Sequence, residues 1–172
     1  MDSGHPLLIP LDAPGHWDEK LVGGKAAKLA QLTCAGFEVS RGFCLTTRAY
    51  QAFVQNAGIT AALRMELGRK SMDDMRWEEI WDAALRIRAR FLAQPLDGVL
   101  RETIAQGLAG FDASTPLAVR SSAVGEDAAG RSFAGLHESI IGVRGQQALE
   151  DAVRLVWASL WSDAALLYRK EL

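Results

Sequence analysis

Apolar residues fall into two patterns along the chain. One recurs every three or four positions, and the other forms short unbroken clusters between glycines, prolines and small polar residues. The most regular helical stripe begins at Trp77: Trp77, Ile80, Trp81, Ala84, Ile87, Arg88 and Phe91 share a face until Pro95 stops the run. Such a stripe is expected to bury against its neighbours, tryptophans included. The stretch from Leu21 to Leu32 predicts a helix entered directly from Gly23 and Gly24, with Leu29 and Leu32 facing inward and Gly36 as its stop. Thr46 or Thr47 is expected to cap a helix that carries Tyr50, Phe53 and Val54 on one face and ends at Asn56 to Gly58. Helices are also read over 59–68 and 98–110. A final one starts near Gln146, with Leu149, Val153, Val156, Trp157, Leu160, Trp161 and Ala164 as its stripe and a break or recap at Ser162 and Asp163.

The short clusters read as strands: LLIPL within 6–12, Phe43 to Leu45, Leu117 to Val119, and Glu138 to Val143. Pro10 places the first at an edge or a kink. The last two strands are expected to pair as an antiparallel hairpin across a long loop. Residues 1–16 then form an N-terminal strand and turn. The final helical stripe continues through Leu167 and Tyr168 with no glycine or proline stop before Leu172, which reads as a cut or as the prelude to a second domain.

Chemistry concentrates in Leu117 to Gly135, LAVRSSAVGEDAAGRSFAG. A strand that delivers Arg120 to its end and opens into a loop rich in hydroxyls and glycines can hold nucleotide phosphates. A buried guanidinium there would need either an internal carboxylate or an anionic ligand, and both readings stay open. Ser121 and Ser122 add hydroxyl donors. Glu126 and Asp127 would repel bare phosphate, which makes them contacts to a basic group or remote ligands of magnesium-bound water. The second locus is Gly23-Gly24-Lys25. A glycine pair at a helix start leaves backbone N–H groups unpaired at the positive end of the dipole, and a lysine in that first turn is favoured by a nearby anion. A solvated lysine after a flexible turn has the same spacing, and the GxxxxGK[ST] pattern is absent.

Composition narrows the alternatives. Hydrophobic residues make up 49% and charged residues 23%, values typical of a folded globular chain. The net charge of −2 comes from 19 basic and 21 acidic residues that are interspersed, so no basic face points to nucleic acid. No apolar run reaches membrane-spanning length and no basic leader precedes the first strand, which predicts a cytoplasmic chain without a membrane partner. Cys34 and Cys44, and the scattered His5, His16 and His137, have no metal-ligand spacing, so no metal-ligating residue is assigned.

Three segments occur in a fixed order: GGKAAKLAQL with AGFEVSRGFCLTTRAY, then AVRSSAVGEDAAGRSFAG, then VWASLWSDAALLYR. Across 17–170 they make the chain resemble the N-terminal nucleotide-binding domain of the phosphoenolpyruvate synthase and pyruvate phosphate dikinase family, which includes the rifamycin phosphotransferases. The resemblance implies an α+β, ATP-grasp-like fold with a mixed or antiparallel sheet and packed helices. It also implies that 17–172 is the first part of that domain, truncated at its C-terminus. In the family, ATP with Mg2+ phosphorylates a histidine on a separate swivelling domain, and an acceptor domain passes the group to pyruvate or to the antibiotic. Position by position, Lys25 matches the family's phosphate-binding lysine and Arg120 its phosphate-contacting arginine. Gly130, Ser132, Phe133, Ala134 and Gly135 match the loop that closes over the nucleotide, and Glu138 matches the acidic residue after it. Local chemistry adds Gly23, Gly24, Ser121 and Ser122 to the nucleotide contacts. Two departures stand out: Ser40-Arg41 replaces the usual prolines before Gly42-Phe43, and Leu136-His137 stands where two glutamines are common. The partners implied are ATP, the second half of the nucleotide-binding domain, the phosphohistidine domain and the acceptor domain. A rifamycin-type antibiotic phosphotransferase and a noncatalytic remnant acting as an interaction module are the competing readings.

Overall fold

A computed structural model of the chain describes residues 6–12, 17–124 and 138–170. It consists of helices and two small antiparallel sheets, an α+β arrangement, and its residues sort into two compact units. The described part of the first unit is 6–12, 17–53, 97–112 and 122–124; that of the second is 54–96, 113–121 and 138–170.

In the first unit, strand β1 (Leu8–Pro10) pairs antiparallel with β2 (Phe43–Leu45), in the register Leu8 to Leu45, Ile9 to Cys44 and Pro10 to Phe43. Helix α1 (Glu19–Cys34) covers this ribbon with small residues. Ile9, Val22, Ala26 and Ala27 form the buried cluster, and Leu11, Trp17, Leu21 and Cys44 pack around it. Helix α5 (Gly98–Leu108) lies against β1, and it comes so close at Gly107 that an added Cβ would sit 2.7 Å from Leu8 Cδ1. Helix α2 (Thr47–Asn56) follows β2, and the buried Thr46 before it donates its hydroxyl to the Pro6 carbonyl at 2.9 Å. Thr46 therefore ties two chain segments together.

Helix α1 starts earlier than its sequence pattern predicts. Asp18 accepts from the Lys20 amide at 2.9 Å and caps a first turn that lies ahead of the glycines. At Gly23 the backbone leaves helical geometry (φ 78°, ψ 165°), and the helix resumes at Gly24. Only glycine fits this position, since a Cβ on Gly23 would lie 1.7 Å from the Ser122 carbonyl oxygen. The far end follows expectation. Gly36 has φ 82°, its N–H reaches Thr33 O at 3.0 Å, and Phe37 N–H reaches Leu32 O at 3.0 Å, which is a Schellman stop. Leu32 is 43% exposed, contrary to its expected inward position, because Ala26, Ala27 and Ala30 form the buried face.

In the second unit, β3 (Leu117–Arg120) and β4 (Ser139–Val143) form the expected antiparallel pair, with Val119 opposite Ile140 and Arg120 opposite Ser139. Helix α6 (Gln146–Ser159) packs on both strands and on α4 (Trp77–Ala93), and α4 also meets α3 (Ile59–Leu67) and α7 (Asp163–Lys170). The break between α6 and α7 falls where expected, with Ser162 Oγ accepting from the Ala165 amide at 3.1 Å. Helix α4 buries Ile80, Ala83, Ala84, Ile87 and Phe91. Phe91 is fully enclosed, 6.5 Å from the Trp161 ring, and truncating a residue in such a setting typically costs about 3–5 kcal/mol. Trp77 and Trp81 do not join that core: they are 62% and 45% exposed. No helix among the described residues is long and apolar enough to cross a membrane.

Two expectations follow. Gly23→Ala combines a left-handed backbone with a main-chain collision, so urea unfolding should show a loss of at least about 3 kcal/mol. Gly36→Ala meets open space and should lose only about 1 kcal/mol, from backbone conformation alone. Burial pushes the Cys44 thiol up from 9.0 to about 11, whereas Cys34 is exposed. Because the thiolate is the nucleophile, mass spectrometry after iodoacetamide treatment of the native protein at pH 8 should find Cys34 alkylated well before Cys44. Folding holds the Cys44 proton that the unfolded chain releases, so this contribution is fully present below about pH 9 and disappears as pH rises through about 11.

Candidate functional site

In the first unit the sequence-predicted residues gather around the break in α1. Gly23 and Gly24 are buried and Lys25 is half-buried. The amides expected to stand unpaired at this helix start are engaged: Gly24 N–H donates to the Ala123 carbonyl at 3.3 Å, and Ala26 N–H donates to Ser122 Oγ at 3.0 Å. The two residues flanking Lys25 are thus both fastened to the 122–123 segment. This segment comes from the RSS motif, so two loci that are far apart in sequence become neighbours. Their contact is made by backbone and hydroxyl groups, and the charged side chains take no part in these bonds.

In the second unit, Arg120 is the last residue of β3 and is exposed, and Ser121 beside it is buried. This corrects the reading in which desolvation compels Arg120 to find a partner, since an exposed guanidinium is hydrated. Glu138, just before β4, is held from two sides. Its carboxylate Oε1 accepts from Arg88 Nη2 at 3.1 Å, and its amide donates to Ser159 Oγ at 3.1 Å. The buried Ser159 hydroxyl in turn donates to the Val156 carbonyl at 2.7 Å.

Arg88 and Ser159 were absent from the sequence-derived site. Arg88 had one legible signal, a cation set inside an apolar helical stripe, which needs an outlet for its charge. Ser159 had none, because a serine near a helix end is too common to single out. The loop residues Gly130, Ser132, Phe133, Ala134 and Gly135, with Glu126, Asp127 and His137, lie outside the described residues.

In the first unit the donors suited to phosphate oxygens are the Lys25 ammonium and the Ser122 hydroxyl; in the second they are the Arg120 guanidinium and the Ser121 hydroxyl, and the Glu138 carboxylate there pairs with Arg88. Among the described residues no three His, Cys, Asp or Glu side chains gather in a way that could hold a metal ion.

The profile of the pyruvate phosphate dikinase AMP/ATP-binding domain matches residues 19–172. A phosphoenolpyruvate synthase from Aeropyrum pernix is 38% identical over 158 residues, covering 88% of this chain and 19% of that protein. The phosphoenolpyruvate synthase of Escherichia coli is 34% identical, covering 95% of this chain and 21% of that protein. A rifampicin phosphotransferase from Streptomyces sviceus is 37% identical, covering 87% and 17%. The chain spans about a fifth of the length of these relatives. With the family profile covering both the glycine-lysine helix start and the RSS segment fastened to it, the chain belongs to the pyruvate phosphate dikinase AMP/ATP-binding domain family.

Proposed function

We propose that this chain is the ATP-binding portion of a phosphotransferase of the phosphoenolpyruvate synthase type, built on the first part of an ATP-grasp-like domain over 17–172. The observation that carries the reading is the family match across 19–172 with a lysine at position 25 and an arginine at position 120. In this reading Lys25 and Arg120 neutralise the charge that builds up as the terminal phosphoryl group leaves ATP. Their donors suit that task because an ammonium and a guanidinium make charge-assisted hydrogen bonds to phosphate oxygens. Gly23, Gly24, Ser121, Ser122 and Glu138 surround or support the nucleotide, as do Gly130, Ser132, Phe133, Ala134 and Gly135. Mg2+ accompanies the phosphates and supplies further charge neutralisation when bound.

The phosphoryl group would pass to a histidine on a separate domain and then to pyruvate, in the cytoplasm. The second half of the nucleotide-binding domain, a phosphohistidine domain and an acceptor domain are the partners required, and the relatives' fivefold greater length leaves room for them. A second reading, antibiotic phosphorylation, has its own support: the rifampicin phosphotransferase from Streptomyces sviceus is 37% identical against 38% for the Aeropyrum pernix phosphoenolpyruvate synthase. Such near-equal similarity is expected of a portion that handles ATP and leaves acceptor choice to other domains.

Lys25→Ala and Arg120→Ala should each weaken ATP binding in the complete protein by roughly 10- to 100-fold, the usual scale for losing a charge-assisted hydrogen bond, as read by calorimetric titration. Transfer of label from the γ-phosphate to histidine should fall in parallel. Wild-type binding and transfer in both variants would sink the assignment. Offering labelled phosphoprotein to pyruvate and to rifampicin separates the two acceptors.

A further inference from the structure

We infer that Ser122 is a positioning residue that caps the Lys25 helix from a distant part of the chain. The resumed portion of α1 has Gly23 in the N-cap position, with Gly24, Lys25 and Ala26 as its first three helical residues. An N-cap serine, threonine or aspartate normally accepts a hydrogen bond from the third of these amides. Gly23 has no side chain to do so, and it cannot acquire one. Its φ of 78° disfavours any Cβ, and the space a Cβ would fill is occupied by Ser122, whose carbonyl oxygen would be 1.7 Å away. Ser122 Oγ makes the missing bond instead, accepting from Ala26 N–H at 3.0 Å across a sequence separation of 96 residues.

The second fastening makes this more than a helix cap. Gly24 N–H binds Ala123 O at 3.3 Å, so the residues on both sides of Lys25 are held by one short segment. A lysine side chain has long, flexible reach, and what fixes where its ammonium can go is the position and direction of its Cα–Cβ bond. Tying down residues 24 and 26 sets both. Ser122 therefore acts on the nucleotide through Lys25, and the double serine of the RSS motif divides its labour: the hydroxyl of Ser122 faces the helix start. This inference rests on the reading of Lys25 as a phosphate ligand.

The test is a double-mutant cycle on ATP affinity in the full chain, with Lys25→Ala, Ser122→Ala and the pair combined. Ser122→Ala should weaken ATP binding on the order of 5-fold, the effect of losing a cap translated into Lys25 placement. In the Lys25→Ala background the same change should have no further effect. Ser122→Cys keeps the volume but offers a poor acceptor, so it should behave like Ser122→Ala even if the alanine variant folds badly. Ser122→Thr, which retains the acceptor, should recover most of the affinity. Gly36→Ala controls for stability alone: it strains the far end of the same helix and should leave affinity unchanged.

If Lys25→Ala weakens binding while Ser122→Ala does not, or if the two losses simply add, Ser122 is either irrelevant or an independent ligand and the positioning role is overturned. If Lys25→Ala itself leaves affinity unchanged, the reading of Lys25 fails first and the positioning role fails with it. That result is distinguishable because it appears in the single variant.

Discussion

The first unit depends on a space too small for one carbon atom. At Gly23 the backbone of α1 meets the backbone of Ser122 with no room for a Cβ, and the chain can pass only by turning into a conformation reserved for glycine. The helix breaks at this point, a second helical start follows at Gly24, and the Ser122 hydroxyl accepts from the Ala26 amide. The small residues that follow serve the same end. Ala26, Ala27 and Ala30 let α1 lie close to the β1–β2 ribbon, which a larger stripe would hold off.

The second unit shows a different way of fixing a position. The ion pair between Arg88 and Glu138 has both side chains partly exposed, 31% and 43%, and pairs of that kind are worth little, about 0–1 kcal/mol. Its value lies in direction. Together with the bond from the Glu138 amide to Ser159 Oγ, it gives the first described residue before β4 a defined orientation. The pair between Arg86 and Glu66 contrasts with it. The Glu66 side chain is only 6% exposed, so removing Arg86 would strand a carboxylate away from water. The two neighbouring arginines on α4 thus have unequal tasks, one orienting and one compensating for burial.

Helix α4 shows why amphipathic reading has limits. The buried residues Ile80, Ala83, Ala84, Ile87 and Phe91 follow three-and-four spacing, and so do the exposed Trp77, Trp81 and Leu85 beside them. Two overlapping apolar stripes satisfy the same period, and size favours choosing the tryptophans as core. The neighbours decide otherwise, because α3, α6 and α7 approach α4 from the side of its smaller residues.

Local chemistry in the sequence determined what local forces govern. It placed the helices and the β3–β4 hairpin, the Schellman stop at Gly36, the recap at Ser162 and the phosphate-suited character of Lys25 and Arg120. Most of these depend on residues within a few positions of one another, or on side-chain charge, which sequence states outright; the hairpin joins two apolar clusters that are consecutive along the chain. The tertiary structure alone decided that Gly24 and Ala26 spend their amides on the RSS segment, that Arg88 answers Glu138, and that Arg120 stands exposed. Those outcomes depend on which distant segments meet and at what distance, and steric exclusion between backbones separated by nearly a hundred residues leaves no periodic trace along the chain.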